Sequence, residues 1–128
     1  MPFVYPEAAA LQRKPKLGDG GCVALVRGLT GLKSRPTISW RQGERVMGNK
    51  TIRPGTAIAT FVNGRWPRTN TGKHAAFFLR QDGNRIWIID QWAEKKLIES
   101  RPLSPLGIRK DGTYPRTSDN ADAFFVIE

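Results

Sequence analysis

The stretch HAAFFLRQDGNRIWIIDQW, residues 74–92, indicates a β-hairpin. Its two apolar runs, HAAFFLR and IWIIDQW, are rich in aromatic and β-branched residues, which favour strands. The link between them contains Asp82-Gly83, a dipeptide typical of tight hairpin turns. We therefore predict that residues 74–80 and 86–92 form neighbouring antiparallel strands.

The flanking sequence extends this hairpin into a mixed fold. Two further apolar runs, residues 56–62 and 123–128, have strand character, whereas residues 100–120 are loop-like and long for a compact domain. Helical signals precede the strands at PEAAALQR (6–13) and SRPTISWRQGERV (34–46), where Trp40 is the expected anchor and Gly43 the expected terminator. Helices followed by an antiparallel sheet predict an α+β fold, and 128 residues suit a single domain over 1–128.

A third helical signal follows the glycine-rich stretch GDGG, residues 18–21. Apolar residues at Cys22, Leu25, Val26 and Leu29 have the spacing of one helical face. This pattern predicts a short helix that begins at or near Cys22.

Composition narrows the classes of function. The chain carries 21 Lys and Arg against 11 Asp and Glu, a net charge of +10, which favours anionic partners. The basic residues are scattered along the chain, so no helix stands out as a groove-reading element and nucleic-acid recognition is not favoured. One cysteine and one histidine leave no basis for a disulfide framework or a zinc site, and no metal or cofactor is implied.

The chain also lacks the sequence features of membrane insertion. No apolar stretch approaches the length of a membrane span, and the first residues lack the basic start and apolar run of a cleaved leader. We expect the protein to be made in the cytoplasm without a signal peptide.

Cys22 has two interpretations. It falls on the apolar stripe of its helix, where a cysteine commonly acts as a small buried hydrophobe. A helix N-terminus, however, lowers the pKa of a thiol, and the flanking glycines allow the backbone to approach the sulfur closely. A nucleophilic thiol also needs a base, and His74, at the mouth of a strand, is the one histidine available.

A third polar group would orient the imidazole, and the hairpin register decides which one. A three-residue loop ending in Gly83 places Asp90 opposite His74, whereas a two-residue Asp82-Gly83 loop selects Gln91. We favour Asp90, because a carboxylate also stabilises an imidazolium.

These motifs resemble those of the papain-like NlpC and CHAP cell-wall amidases. The resemblance runs from about Gly18 to Trp92: a cysteine at a helix start, a strand in GTAIATF, a histidine in KHAAFF, and a polar residue late in the next strand. Within that group the chain most resembles the compact amidases delivered by bacterial type VI secretion. Many NlpC-type enzymes use a second histidine as the third group, which this chain lacks.

The resemblance implies a papain-like fold and a cysteine peptidase or amidase acting on peptidoglycan. Cys22 would be the nucleophile and His74 the base, with Asp90 or Gln91 as the orienting residue; Gly21 and Trp66 would contact substrate. It further implies peptidoglycan stem peptides as substrate, a cognate immunity protein as partner, and action in the periplasm of target bacteria.

Two other functions are compatible with the same sequence. A non-enzymatic basic domain could bind nucleic acid or anionic surfaces with Cys22 in its core. A Cys/His acyltransferase, similar to a transglutaminase, would use an amine in place of water.

Overall fold

A computed structural model describes residues 2–128 of the chain. Six strands form one antiparallel sheet in the order β1-β6-β2-β3-β4-β5, and one α-helix packs against it. The helix and strands are α1 (Cys22–Leu29), β1 (Gln42–Arg45), β2 (Ala57–Thr60), β3 (Ala75–Asp82), β4 (Arg85–Asp90), β5 (Glu99–Leu103) and β6 (Phe124–Ile127). The predicted α+β class is confirmed.

The β3–β4 hairpin forms as predicted, but with a different turn. Asp82 pairs with Arg85, so the loop consists of the two residues Gly83 and Asn84 rather than either loop considered above. A bulge between Phe78 and Arg80 then shifts the register by one residue. Beyond the bulge, even-numbered residues of β3 pair with even-numbered residues of β4. His74 and Asp90 therefore point to the same face of the sheet, although neither predicted register is correct.

Strand alternation divides the core between the two faces of the sheet. Phe77 and Ile89 point to the face that α1 covers, where they pack with Leu25 and Val26 of the helix. Even-numbered side chains such as Phe78 and Ile88 pack on the opposite face. Neighbouring residues at the end of β4 therefore point to opposite sides.

Two predicted segments fold differently from expectation. Residues 34–46 hold one 3₁₀ turn, Thr37–Ser39, with Trp40 fully buried as expected, and then strand β1 in place of further helix. Gly43 does not terminate a helix: a Cβ there would lie 2.8 Å from the Val126 carbonyl oxygen of β6, so glycine permits the close approach of these strands. The predicted N-terminal helix is a single 3₁₀ turn, Ala8–Leu11.

The stretch 100–120, predicted to be a loop, begins inside strand β5. Pro102 weakened the strand signal there, because proline removes a ladder donor. β5 lies at the edge of the sheet, which is the position where a strand proline is tolerated.

The topology brings three sequence segments to one end of the sheet. Because β3 and β4 are antiparallel, the residues that precede β3 and those that end β4 lie at the same end of the sheet. The N-terminus of α1 meets β3 near that end. Within residues 2–128, no helix is both long and apolar enough to cross a membrane.

Candidate active site

Cys22 is the first residue of α1, and its thiol faces His74. The side chain is partly buried, which disfavours its anion, but the neighbouring His74 ring lowers the pKa of the thiol. The backbone N–H groups of Ala75 and Val23 also lower the pKa of Cys22. The thiol thus lies where donors and a partial positive charge of the helix favour its anion.

The loop before Cys22 is held by Gln91. This side chain is fully buried; its Oε1 accepts a hydrogen bond from Leu17 N–H at 2.9 Å, and its Nε2 donates to the carbonyl oxygens of Leu17 and Gly21 at 2.9 and 2.8 Å. Asp19 closes the loop by accepting from Gly21 N–H at 2.8 Å. Gln91 therefore points toward the loop that positions Cys22, and all of its side-chain hydrogen bonds go to that loop.

His74 directly precedes β3 and is fixed through backbone and ring. Its backbone N–H donates to Thr60 Oγ1 at 3.0 Å, and its carbonyl accepts from Thr60 N–H at 3.0 Å. Its Nε2 lies 2.7 Å from Asp90 Oδ2, which leaves Nδ1 for the thiol. The edges of Trp92 and Phe124 flank the ring, with centroids 6.1 and 6.3 Å away.

Asp90 ends β4 and has no solvent exposure. Besides His74, two cations contact it: Lys95 Nζ lies 2.8 Å from Oδ1, and Arg101 Nε lies 2.9 Å from Oδ2. A buried carboxylate requires such partners, since desolvation of an unpaired charge is costly. Asp90 therefore stays ionised inside the protein.

Lys95 and Arg101 were not predicted as site residues. Both lie over the Trp92 ring, with Lys95 Nζ 4.6 Å and Arg101 Cζ 5.0 Å from the ring centroid. Arg101 also bonds Asp119 Oδ1 at 2.7 Å and the Ser118 carbonyl at 3.1 Å. In the sequence they belonged to scattered basic residues, and no periodicity marked them as different.

The ionisation of the three groups is coupled. Burial opposes the thiolate, but the hydrogen bond and charge of His74 and the two N–H donors outweigh it, so the pKa of Cys22 is lowered. Burial likewise opposes the imidazolium, but Asp90 and Cys22 raise the pKa of His74. Burial works against ionisation of Asp90 too, but His74, Arg101 and Lys95 lower its pKa to about 2. All three shifts favour the charged forms: a thiolate on Cys22, an imidazolium on His74 and a carboxylate on Asp90.

The two residues predicted to contact substrate lie in different surroundings. Gly21 caps α1 immediately before Cys22; its N–H donates to Asp19 within the loop, and its carbonyl accepts from the Gln91 side chain. Trp66 is partly buried and packs edge-on against Trp40, with centroids 5.1 Å apart, in the loop that leads to His74. No cluster of three or more His, Cys, Asp or Glu side chains that could hold a metal occurs among the described residues.

Comparison with known proteins gives a consistent result. The type VI secretion amidase effector 2 protein of Salmonella typhi is 47% identical over 135 aligned residues, which cover the full length of both proteins. The solved structure of type 6 secretion amidase effector 2 (Tae2) superimposes with a TM-score of 0.89 at 45% identity, covering 98% of this chain and 93% of that one. The family model described as domesticated amidase effector 2 matches residues 12–127. This chain belongs to the domesticated amidase effector 2 family.

Proposed function

We propose that this protein is a cysteine amidase that hydrolyses amide bonds in bacterial peptidoglycan. The observation that carries the proposal is that Cys22, His74 and Asp90 lie together at one end of the sheet: His74 Nε2 is 2.7 Å from Asp90 Oδ2, and the His74 ring lowers the pKa of Cys22. The similarity to amidase effectors supports the reaction class. The residue roles below belong to the proposal.

Cys22 acts as the nucleophile and His74 as its base. The Nδ1 atom of His74 takes the thiol proton, which gives a thiolate and an imidazolium. Asp90 accepts a hydrogen bond from Nε2–H and stabilises the positive ring, while Lys95 and Arg101 hold Asp90 in place.

The reaction then proceeds in two halves. The thiolate adds to the amide carbonyl carbon, and the tetrahedral intermediate collapses to a thioester as the C–N bond breaks and His74 protonates the leaving amine. A water molecule, deprotonated by His74, attacks the thioester, releases the carboxylate product and returns the thiol. The backbone N–H of Cys22 at the helix N-terminus helps to stabilise the oxyanion of both intermediates.

The glycine at position 21 keeps the approach to the sulfur open. Gly21 has no side chain beside the nucleophile, and a Cβ placed there would lie 3.1 Å from Asp19 Oδ1. We assign it the role of letting substrate backbone pass close to Cys22. Trp66 contacts substrate farther along the same approach, at the loop before His74.

Peptidoglycan is proposed as the substrate because its chemistry suits the surface. Its stem peptides carry amide bonds and free carboxylates, and the net charge of +10 attracts an anionic polymer. The relatives are named as amidase effectors of type VI secretion. We extend this to delivery into the periplasm of target bacteria, and to a cognate immunity protein that occupies the site.

Digestion of purified sacculi tests the proposal. Wild-type protein is expected to release new fragments, whose masses identify the bond cleaved, and Cys22→Ala is expected to release none. Because Cys22 is the sole cysteine, iodoacetamide uptake reports on this thiol alone. Fast alkylation near neutral pH supports a nucleophile, whereas a thiol that resists until unfolding favours a non-enzymatic basic domain.

Two outcomes would overturn the proposal. One is full activity in a Cys22→Ala variant whose thermal midpoint matches wild type. The other is no release of fragments by folded wild-type protein from sacculi that a reference hydrolase digests.

A further inference from the structure

A basic groove is lined largely by the loop that leads to His74. It has a volume of about 370 Å³, and its lining includes Arg65, Arg68, Lys73 and Trp66. Lys73 immediately precedes His74, so their α-carbons are about 3.8 Å apart. The groove therefore reaches the residue that precedes the proposed base.

The cations of this groove differ from those around Asp90. Arg65, Arg68 and Lys73 are exposed, and within residues 2–128 none of the three side chains has an ion pair or a hydrogen bond. Lys95, by contrast, has a carboxylate within 2.8 Å. Three uncompensated positive charges in the lining of one groove repel each other and attract an anion.

The remaining lining supplies a firm apolar surface. Trp66 is backed by the fully buried Trp40, which fixes the orientation of its ring. Ile38, which is 65% exposed, also lines the groove. An apolar surface bordered by cations suits a ligand with a short aliphatic side chain that ends in a carboxylate.

We propose that this groove is a subsite that binds a free carboxylate of the peptidoglycan stem peptide. The inference rests on the proposed function and adds a specificity determinant to it. Arg65 and Arg68 offer planar forks that match a carboxylate, and Lys73 adds a point charge next to His74. The subsite orients the stem so that the scissile amide reaches Cys22.

The test compares two variants on two substrates. The groove variant combines Arg65→Gln, Arg68→Gln and Lys73→Gln. The control combines Lys33→Gln, Lys50→Gln and Arg53→Gln, which removes the same number of exposed positive charges elsewhere. The substrates are solubilised native peptidoglycan and the same material after carbodiimide coupling to ammonia, which converts free carboxylates to amides.

The proposal predicts a specific pattern of kcat/KM. Amidation lowers the wild-type value by about tenfold, since several exposed charge contacts act together. The groove variant loses about tenfold on native substrate, mainly through KM, and loses nothing more on amidated substrate. The control variant follows wild type on both substrates.

The result that overturns the subsite is equally specific. Equal losses in the groove and control variants would mean general attraction to the wall, and a groove variant that is still slowed by amidation would place the carboxylate contact elsewhere. Unchanged alkylation of Cys22 and an unchanged thermal midpoint show that the groove variant is folded. The single change Arg68→Gln is expected to give a smaller loss of kcat/KM on native substrate. Wild-type cleavage of native substrate tests the proposed function separately, and without it both proposals fail.

Discussion

The β3–β4 hairpin carries a similar set of side chains at each of its two ends. At the turn, Asp82 neighbours Trp87, and at the site, Asp90 neighbours Trp92. Each tryptophan lies under two cations. The two ends differ in burial: the cluster at the turn is exposed to solvent, whereas the cluster at the site is buried and forms the candidate catalytic centre.

At the turn the groups are loosely arranged in solvent. The Asp82 side chain is 54% exposed, and its carboxylate lies 3.9 Å from the Arg85 guanidinium. Trp87 Nε1 donates to Asp82 Oδ2 at 3.2 Å, and Arg80 lies over the indole ring at 4.7 Å. Water screens these charges, so such pairs contribute little.

At the site the same types of group are tightly held. Asp90 has no exposed surface, and Lys95 and Arg101 are 11% and 22% exposed with contacts of 2.8 and 2.9 Å to the carboxylate. The third contact of the Asp90 carboxylate is with His74, whose Nε2 lies 2.7 Å from Oδ2. Here the charges act on one another through protein rather than water, which makes them able to shift the pKa of a catalytic group.

The largest expected difference between the ends comes from removing each carboxylate. Asp90→Asn is expected to lower kcat by about 10²- to 10³-fold, because the imidazolium loses its counter-charge and its orientation. Asp82→Asn, the matched change at the turn, is expected to leave kcat unchanged. Steady-state hydrolysis of solubilised peptidoglycan measures both.

Folding must be controlled in this comparison. Asp90→Asn leaves Lys95 and Arg101 with a neutral partner, which costs about 2–4 kcal/mol of stability. Assays therefore stay below the thermal midpoint of the variant. Equal activity of the two Asn variants would show that the buried carboxylate has no catalytic role.

The next difference is in pH dependence. The pKa of Cys22 is lowered chiefly through His74, and the pKa of His74 is raised chiefly through Asp90. Wild-type Cys22 should therefore be alkylated by iodoacetamide at a pH below the ordinary range for thiols. In Asp90→Asn the imidazolium is less stable, so the pKa of Cys22 rises and the alkylation midpoint moves to higher pH.

The same measurement distinguishes the two ends of the hairpin. Asp82→Asn should leave the alkylation profile in place, because that carboxylate is at the far end of both strands. An unshifted profile in Asp90→Asn would break the proposed link from carboxylate through imidazole to thiol.

A smaller effect is expected from the cations. Arg101→Gln should lower kcat by about tenfold with little change in KM, since Asp90 loses one of its two positioning contacts. Arg101→Lys should recover part of that loss, whereas a general packing defect would not respond to the restored charge. Arg80→Gln, at the turn, is expected to match wild type, and a comparable loss there would remove the distinction between the ends.

The sequence could single out Cys22 and His74 as a candidate pair because each signal depends on local order. Cys22 follows a glycine-rich stretch and starts an apolar helical stripe, and His74 opens a strand. Asp90 was favoured over Gln91 for its charge, and the structure places it beside His74. Their roles in catalysis stay predictions.

Strand alternation alone predicts that the side chains of Asp90 and Gln91 point to opposite faces of the sheet. It does not predict which of the two faces His74. That depended on the two-residue turn at Gly83 and the bulge near Leu79, and a bulge leaves no clear trace in sequence. Gln91 therefore gained a use, holding the loop before Cys22, that the pattern did not suggest.

Lys95 and Arg101 could not be predicted because their burial is a tertiary effect. Arg101 belongs to the edge strand β5, which was not predicted because Pro102 weakens its strand signal. Lys95 lies in the connection between β4 and β5. A basic residue in a basic chain is expected to be solvated. Only the position of β5 beside β4 brings Arg101 to Asp90.

The smallest predicted effect concerns the energy of the ion pair at each end. A double-mutant cycle with Asp82→Asn and Arg85→Gln should give a coupling below about 0.5 kcal/mol, since both side chains are roughly half exposed and 3.9 Å apart. The equivalent cycle with Asp90→Asn and Arg101→Gln should give a coupling above about 1 kcal/mol, because that contact is buried and hydrogen-bonded. Urea unfolding of the four single variants, the two double variants and wild type measures both couplings. If the two values are equal, burial does not account for the difference between the ends, and the position of His74 alone must explain it.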